Sequence, residues 1–166
     1  MIKSLISVSD KRDLKKFAND LSSLGIEIIA TEGTARAILR NGIQASHVSE
    51  LTGFSEMLGG RIKTLHPEVH AAIATGGIEI VVVNLIPMSS IEDMDIGGVA
   101  LLKSAIKNFR NVAAVTDPDQ YDGVIKEIRD TGGVSPKTGL ALAIRASAYI
   151  VEYESKAGNL LEALRS

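Results

Sequence analysis

The chain has 166 residues, of which 45% are hydrophobic and 23% charged, the make-up of one globular domain able to bury a core without disulfides or a structural metal. It has no cysteine, which excludes thiol nucleophiles, thiolate-bound zinc, iron–sulfur clusters and disulfide frameworks. Eighteen Lys and Arg against 20 Asp and Glu give a formal charge of -2, and aromatic residues are 4%, so nothing here advertises a nucleic-acid partner.

Apolar runs such as Ile80 to Val83 are far too short to span a bilayer, and a charge at Lys3 interrupts the N-terminus too early for a secretion signal. The expectation is a cytoplasmic protein with no membrane partner. No linker, repeat or low-complexity block divides the sequence, so residues 1–166 read as a single domain.

In chain order, Ser4 to Val8 is a short β-branched run, and Leu14, Phe17, Ala18, Leu21 and Leu24 follow at helical spacing up to Gly25. Ile26 to Ala30 reads as a second strand, Thr31 to Thr34 as a turn, and Ala35 to Arg40 as a helix closed by Asn41-Gly42. Ile78 to Val83 and Asn111 to Val115 read as strands buried on both faces, with a helix from Gly98 to Lys107 between them. Asp117-Pro118-Asp119-Gln120 supplies a cap, a first-turn proline and an acceptor for the next helix, and Ser135-Pro136 starts the last, which runs as far as Leu164. Alternating strands and helices predict a parallel sheet covered on both faces, an α/β architecture that binds ligands at the carboxyl ends of its strands.

Two strand-to-helix junctions carry hydroxyls and small residues, Ser7-Val8-Ser9-Asp10-Lys11 and Thr31-Glu32-Gly33-Thr34. At such junctions the unpaired N–H groups and positive end of the helix attract an oxyanion, Gly33 permits close backbone approach, and Lys11 adds a full charge. Phosphate is the natural guest, although Ser9 or Asp10 and Thr34 serve equally as ordinary helix caps, and an inward Glu32 carboxylate would oppose an anion.

Gly59-Gly60-Arg61-Ile62-Lys63-Thr64-Leu65-His66-Pro67 and on to His70 shows neither helical nor strand periodicity and concentrates cations beside glycines, as a ligand loop does. Arg61 offers two parallel donors and Lys63 a point charge for a developing oxyanion; a solvated basic loop is the plainer reading. His66 and His70 have zinc-ligand spacing if the segment is helical, but Pro67 and the lack of a third ligand speak against a metal. Asp95 before a helix and Lys107 at its far end either line one cleft as an acid–base pair or simply complement the helix dipole.

Together, Ser7 to Lys11, Thr31 to Thr34, Gly59 to Pro67, Asn84-Leu85, Asp95-Ile96-Gly97-Gly98 and Lys107-Asn108 resemble the inosine monophosphate cyclohydrolase domain, within the methylglyoxal-synthase-like superfamily. The resemblance covers nearly the whole chain, in order. It implies a three-layer αβα fold with a mainly parallel, Rossmann-like central sheet, and closure of a formamidoimidazole carboxamide ribonucleotide to inosine monophosphate with loss of water. It implies no cofactor and no metal.

By position, the resemblance makes Lys107 the proton shuttle, Asp95 its partner that also holds the carboxamide, and Lys63 the stabiliser of the formyl oxygen. Ser9, Asp10, Lys11, Thr31, Glu32, Gly33 and Thr34 would hold phosphate and ribose, with Arg61, Ile62, Thr64, Asn84, Leu85 and Ile96 around the base. Relatives pair through this domain, so a homodimer is expected. The family usually fuses it to a transformylase domain, which these 166 residues do not contain, so a separate formylating enzyme is expected to supply the substrate.

Two further departures stand out. Ile86 occupies the place of a family tyrosine, and isoleucine donates no hydrogen bond; only Ala71 to Gly77 separates His70 from the strand at Ile78, which trims one wall of the cleft. Methylglyoxal synthase, with an aspartate base in a Gly-Asp motif that Gly59-Gly60-Arg61 lacks, and a nucleotide-binding regulatory module of the same superfamily are the rival readings.

Overall fold

The computed structural model describes residues 2–58 and 62–165. Strand β1 (Lys3–Val8) leads into helix α1 (Leu14–Ser23), and β2 (Glu27–Ala30) into α2 (Glu32–Leu39). A short β3 (Ser46–His47) and α3 (Val48–Thr52) precede α4 (Pro67–Ala74) and β4 (Ile80–Asn84). Then come α5 (Ile96–Lys107), β5 (Ala113–Val115), α6 (Tyr121–Thr131) and the long α7 (Pro136–Ala163), with single 3-10 turns at Ile91–Asp93 and Pro118–Gln120.

The sheet order is β3-β2-β1-β4-β5 and all four pairings are parallel, for example Ile6 opposite Ala30 on one side and opposite Val82 on the other. The chain winds outward from β1 through β2 to β3, then returns to β4 and winds the other way. The winding therefore reverses between β1 and β4, which leaves a crevice at the carboxyl ends of those two strands.

Side chains alternate across the sheet with period two. Ile6, Val8, Ile28, Ala30, Val82 and Val115 join the core beneath α1, α2 and α6. Leu5, Ile29, Val81, Val83 and Ala114 face α4, α5 and α7. Each buried Val, Leu or Ile contributes roughly 1.5–3 kcal/mol, so a one-residue register slip, which would exchange the two sets, is strongly opposed. The three-layer α/β expectation holds.

The element boundaries show four differences. Helix α1 starts only at Leu14, behind Asp13, so neither Ser9 nor Asp10 caps it. The Thr31 to Thr34 segment is not a free turn: Thr31 is the N-cap and Glu32 already opens α2, because the strand ends directly against a helix start. The stretch around His66 becomes helical at Pro67, which sits at the first-turn position where a missing N–H costs nothing. Residues 46–52 add an edge strand and a one-turn helix too short to register as periodicity. Among the described residues no helix is long and apolar enough to cross a membrane.

Candidate active site

Three helix N-termini, those of α1, α2 and α5, meet at the carboxyl edge of the sheet because each follows directly from β1, β2 or the loop after β4. Thr34, 1% exposed, cross-links this edge: its hydroxyl donates to the Val8 carbonyl at 3.3 Å and accepts the Val8 N–H at 3.2 Å. The Thr31 hydroxyl reaches Ser7 Oγ at 3.3 Å. Thr34 and Ala35 N–H groups return to the Thr31 carbonyl, whereas those of Glu32 and Gly33 meet no acceptor among the described residues, as is usual in the first turn of a helix.

Asn84 occupies the crevice. Its Oδ1 accepts the N–H groups of Ser9 at 2.6 Å and Asp10 at 2.7 Å, and its Nδ2 donates to the Asp10 carbonyl at 2.9 Å. Two amides that the sequence offered to phosphate are thus already used to pin the β1 loop to β4. Lys11 stays exposed, its Nζ donating to the Val8 carbonyl at 3.2 Å, so its charge sits at the same rim.

Glu32 does not face an anion unopposed. Arg36 Nη2 lies 3.2 Å from one carboxylate oxygen and His47 Nδ1 2.8 Å from the other, the second approach close but not aligned as a hydrogen bond. These residues line a cleft of about 330 Å³ together with Thr31, Phe54 and Lys63. Arg36 and His47 carried no motif; only the strand pairing of β3 with β2 brings His47 to the cleft.

The segment after Lys63 then crosses to the N-terminus of α5. Thr64 is 2% exposed and packs on Gly97, where an added Cβ would lie 2.7 Å from its hydroxyl. Asp95 is the N-cap of α5: Oδ1 accepts the Gly98 N–H at 2.8 Å and Oδ2 the Ile86 N–H at 3.4 Å. A Cβ on Gly98 would stand 2.6 Å from that carboxylate and 2.7 Å from Leu85, so glycine is required for the close approach. Lys63 and Asp95 therefore share one edge of the sheet.

Two tyrosines of α7 hold the far side of this edge, and neither was singled out from sequence, although their spacing of four puts them on one helix face. The Tyr149 hydroxyl accepts the Leu85 N–H at 2.9 Å. The Tyr153 hydroxyl accepts the Asp95 N–H at 2.9 Å and donates to the Ile86 carbonyl at 2.9 Å. In the intervening loop, the Ser89 hydroxyl, followed by the Ser90 and Ser89 amides, holds the Asp93 carboxyl down at a pKa of about 2.

Lys107 is not brought to this edge within one chain. It is the last residue of α5 while Asp95 caps the first, and a 12-residue helix places them about 18 Å apart. The chain next enters β5, so Lys107 lies toward the amino edge of the sheet, beside Asn108, whose Nδ2 binds the Ile73 and Ala74 carbonyls. Ile62 and Ile96 are exposed near the cleft, and Leu85 is buried beside Gly98. Arg61, with Gly59 and Gly60, lies outside the described residues. His66 accepts the Glu68 N–H at 3.3 Å, His70 lies 2.8 Å from the Ser104 hydroxyl, and no metal-binding cluster occurs among the described residues.

A parallel sheet whose winding reverses between β1 and β4, with helices on both faces, defines a doubly wound α/β protein. The MGS-like domain model matches residues 13–112, and the chain belongs to that family. A second model, described as AICARFT/IMPCHase bienzyme, matches residues 105–166.

Two similar proteins are named "Bifunctional purine biosynthesis protein PurH". That of Persephonella marina is 38% identical over 186 residues, covering 96% of this chain and 36% of its own length. That of Ruminiclostridium cellulolyticum is 39% identical over 184 residues, covering 93% and 36%. The chain thus spans little more than a third of the length of these relatives. A solved structure titled "Crystal structure of ForH" superposes with a TM-score of 0.85 at 32% identity, covering 96% of this chain and 98% of that one.

Proposed function

We propose that this chain is an IMP cyclohydrolase of purine biosynthesis, closing 5-formamidoimidazole-4-carboxamide ribonucleotide to inosine monophosphate. The observation that carries the reading is that Lys63 lines a cleft with Thr31 and Glu32 at the start of α2, while Asp95 caps α5 at the same carboxyl edge of the sheet. The PurH relatives and the bienzyme model over the C-terminal third support it.

The carboxamide nitrogen attacks the formyl carbon on the same imidazole; a C–N bond forms, the amide proton leaves, and the carbinolamine loses its oxygen as water. Both reacting groups sit on one ring, so proximity is largely built into the substrate. Ser9, Asp10, Lys11, Thr31, Glu32, Gly33 and Thr34 hold phosphate and ribose, and Arg61, Ile62, Thr64, Asn84, Leu85 and Ile96 surround the base. Lys63 stabilises the oxyanion and Asp95 holds the carboxamide. The step balances without an oxidant, a reductant or a group donor, so the proposal includes no cofactor. A formylating activity outside these residues supplies the substrate, in the cytoplasm.

Lys107 acts as proton shuttle in this scheme as a residue of a second copy, since its own Asp95 is a helix length away. The chain then works as a homodimer with Lys107 of one copy at the cleft of the other. Spectrophotometric assay with the formylated ribonucleotide tests the reaction; binding of the nucleotide without turnover overturns it in favour of a regulatory module. Mixing Asp95→Asn with Lys107→Ala, each inactive alone, is expected to restore about a quarter of wild-type activity, because half the dimers are hybrids with one intact site. A mixture that stays inactive removes the shared site.

A further inference from the structure

We propose that Tyr153 is a positioning residue for the Asp95 carboxylate, a role that rests on the part given to Asp95 above. Tyr153 lies 58 residues beyond Asp95 and 67 beyond Ile86, on a different helix, yet its one hydroxyl ties the two together. It accepts from the Asp95 N–H and donates to the Ile86 carbonyl, both at 2.9 Å.

The amides that hold the two carboxylate oxygens come from the same two segments, Gly98 in the first turn of α5 and Ile86 in the loop after β4. The hydroxyl therefore fixes the separation of the two walls between which the carboxylate hangs. Burial, the largest cause, raises the Tyr153 pKa above the ordinary phenol value, so the proton it donates to Ile86 stays in place across neutral pH. Tyr153 as a whole is 8% exposed. Tyr149, one turn earlier, makes a bond of the same length to Leu85 alone and leaves Asp95 untouched.

Tyr153→Phe keeps the ring and removes the clamp. Its expected effect is a fall in kcat of about 10- to 100-fold with KM within about twofold, since a misplacement of about 1 Å in a catalytic group has that scale of consequence. A lower Tm with kcat unchanged means that the hydroxyl only holds the fold, and overturns the proposal.

Amide hydrogen exchange in the ligand-free protein gives a reading independent of turnover. The amide of an N-cap residue has no partner within its helix, so protection of Asp95 N–H comes from Tyr153. Exchange at Asp95 and Gly98 is expected to quicken at least about tenfold in Tyr153→Phe, while Tyr149→Phe quickens Leu85 alone. An unprotected Asp95 amide in the wild-type protein overturns the proposal even if the variant does not fold. If the wild type turns over no formylated ribonucleotide but the exchange pattern appears, the functional reading falls and the positioning role of Tyr153 stands.

Discussion

Asp95 caps α5 through Gly98 and holds the Ile86 amide with its other oxygen, and the proposed function gives the same carboxylate a second duty toward the substrate. The contact is possible because residue 98 has no Cβ, which shows why the run Asp-Ile-Gly-Gly works as a unit rather than as four separate residues. Lys63 has no such double duty. It lines the cleft with Thr31 and Glu32, so under the proposed function Lys63→Ala is expected to lower kcat about 100-fold or more with the fold intact, the scale of losing one oxyanion donor. Stopped-flow turnover with circular dichroism as the control checks it. Lys11 donates to the Val8 carbonyl at the end of β1, so under the proposed function Lys11→Ala is expected to weaken nucleotide binding about tenfold and leave kcat nearly unchanged. Calorimetric titration with the product nucleotide measures the first and initial rates the second.

The elements that make the site were unequally legible. Asp95 was readable as the cap of α5, whereas Asp13 and Thr31, which precede α1 and α2, were not read as caps. β1, β2, β4 and α5 announced themselves through β-branched runs and helical spacing. β3 and α3 did not, because two and five residues are too few for periodicity, and His47 went unnoticed with them. α7 was readable as a helix, with its start at Ser135-Pro136, but nothing local tells that its middle turns reach the loop after β4. Its docking depends on a close approach near its start: a Cβ on Gly139 would lie 2.2 Å from the Phe109 carbonyl oxygen. Gly139→Ala is expected to destabilise by about 1–3 kcal/mol, since backbone must shift, against a gain of about 1 kcal/mol at an unconstrained helix position. Urea unfolding midpoints decide the sign.

For the whole molecule, the alternation of apolar side chains fixes two cores on opposite faces of the sheet, and the carboxyl edge is where polar groups collect. One polar group lies inside the first core instead: Tyr121, 3% exposed and stacked on Phe17 at 4.1 Å, has a hydroxyl with no partner among the described residues. Burial, followed by the charges of Asp10 and Asp117, pushes its pKa up to about 12. With the folded value above the unfolded value near 10, its contribution is intact below about pH 10 and is lost as pH rises to about 12, up to roughly 3 kcal/mol. Tyr121→Phe is expected to remove this alkaline loss and to match or exceed wild-type stability at pH 8, because no hydrogen bond is forfeited. Unfolding curves of both proteins from pH 8 to 12 measure it.

Sequence by itself determined the layered α/β class and the cap of α5 at Asp95, because period and capping act over a few neighbouring residues. It also held the axial distance from Asp95 to Lys107, since helical rise is fixed, but not on which edge of the sheet each would stand. Only the tertiary structure decided that Asn84 takes the Ser9 and Asp10 amides, that Glu32 meets His47, and that Tyr153 reaches Asp95. Those contacts join residues far apart in the chain, and which of them form depends on how whole helices pack against the sheet.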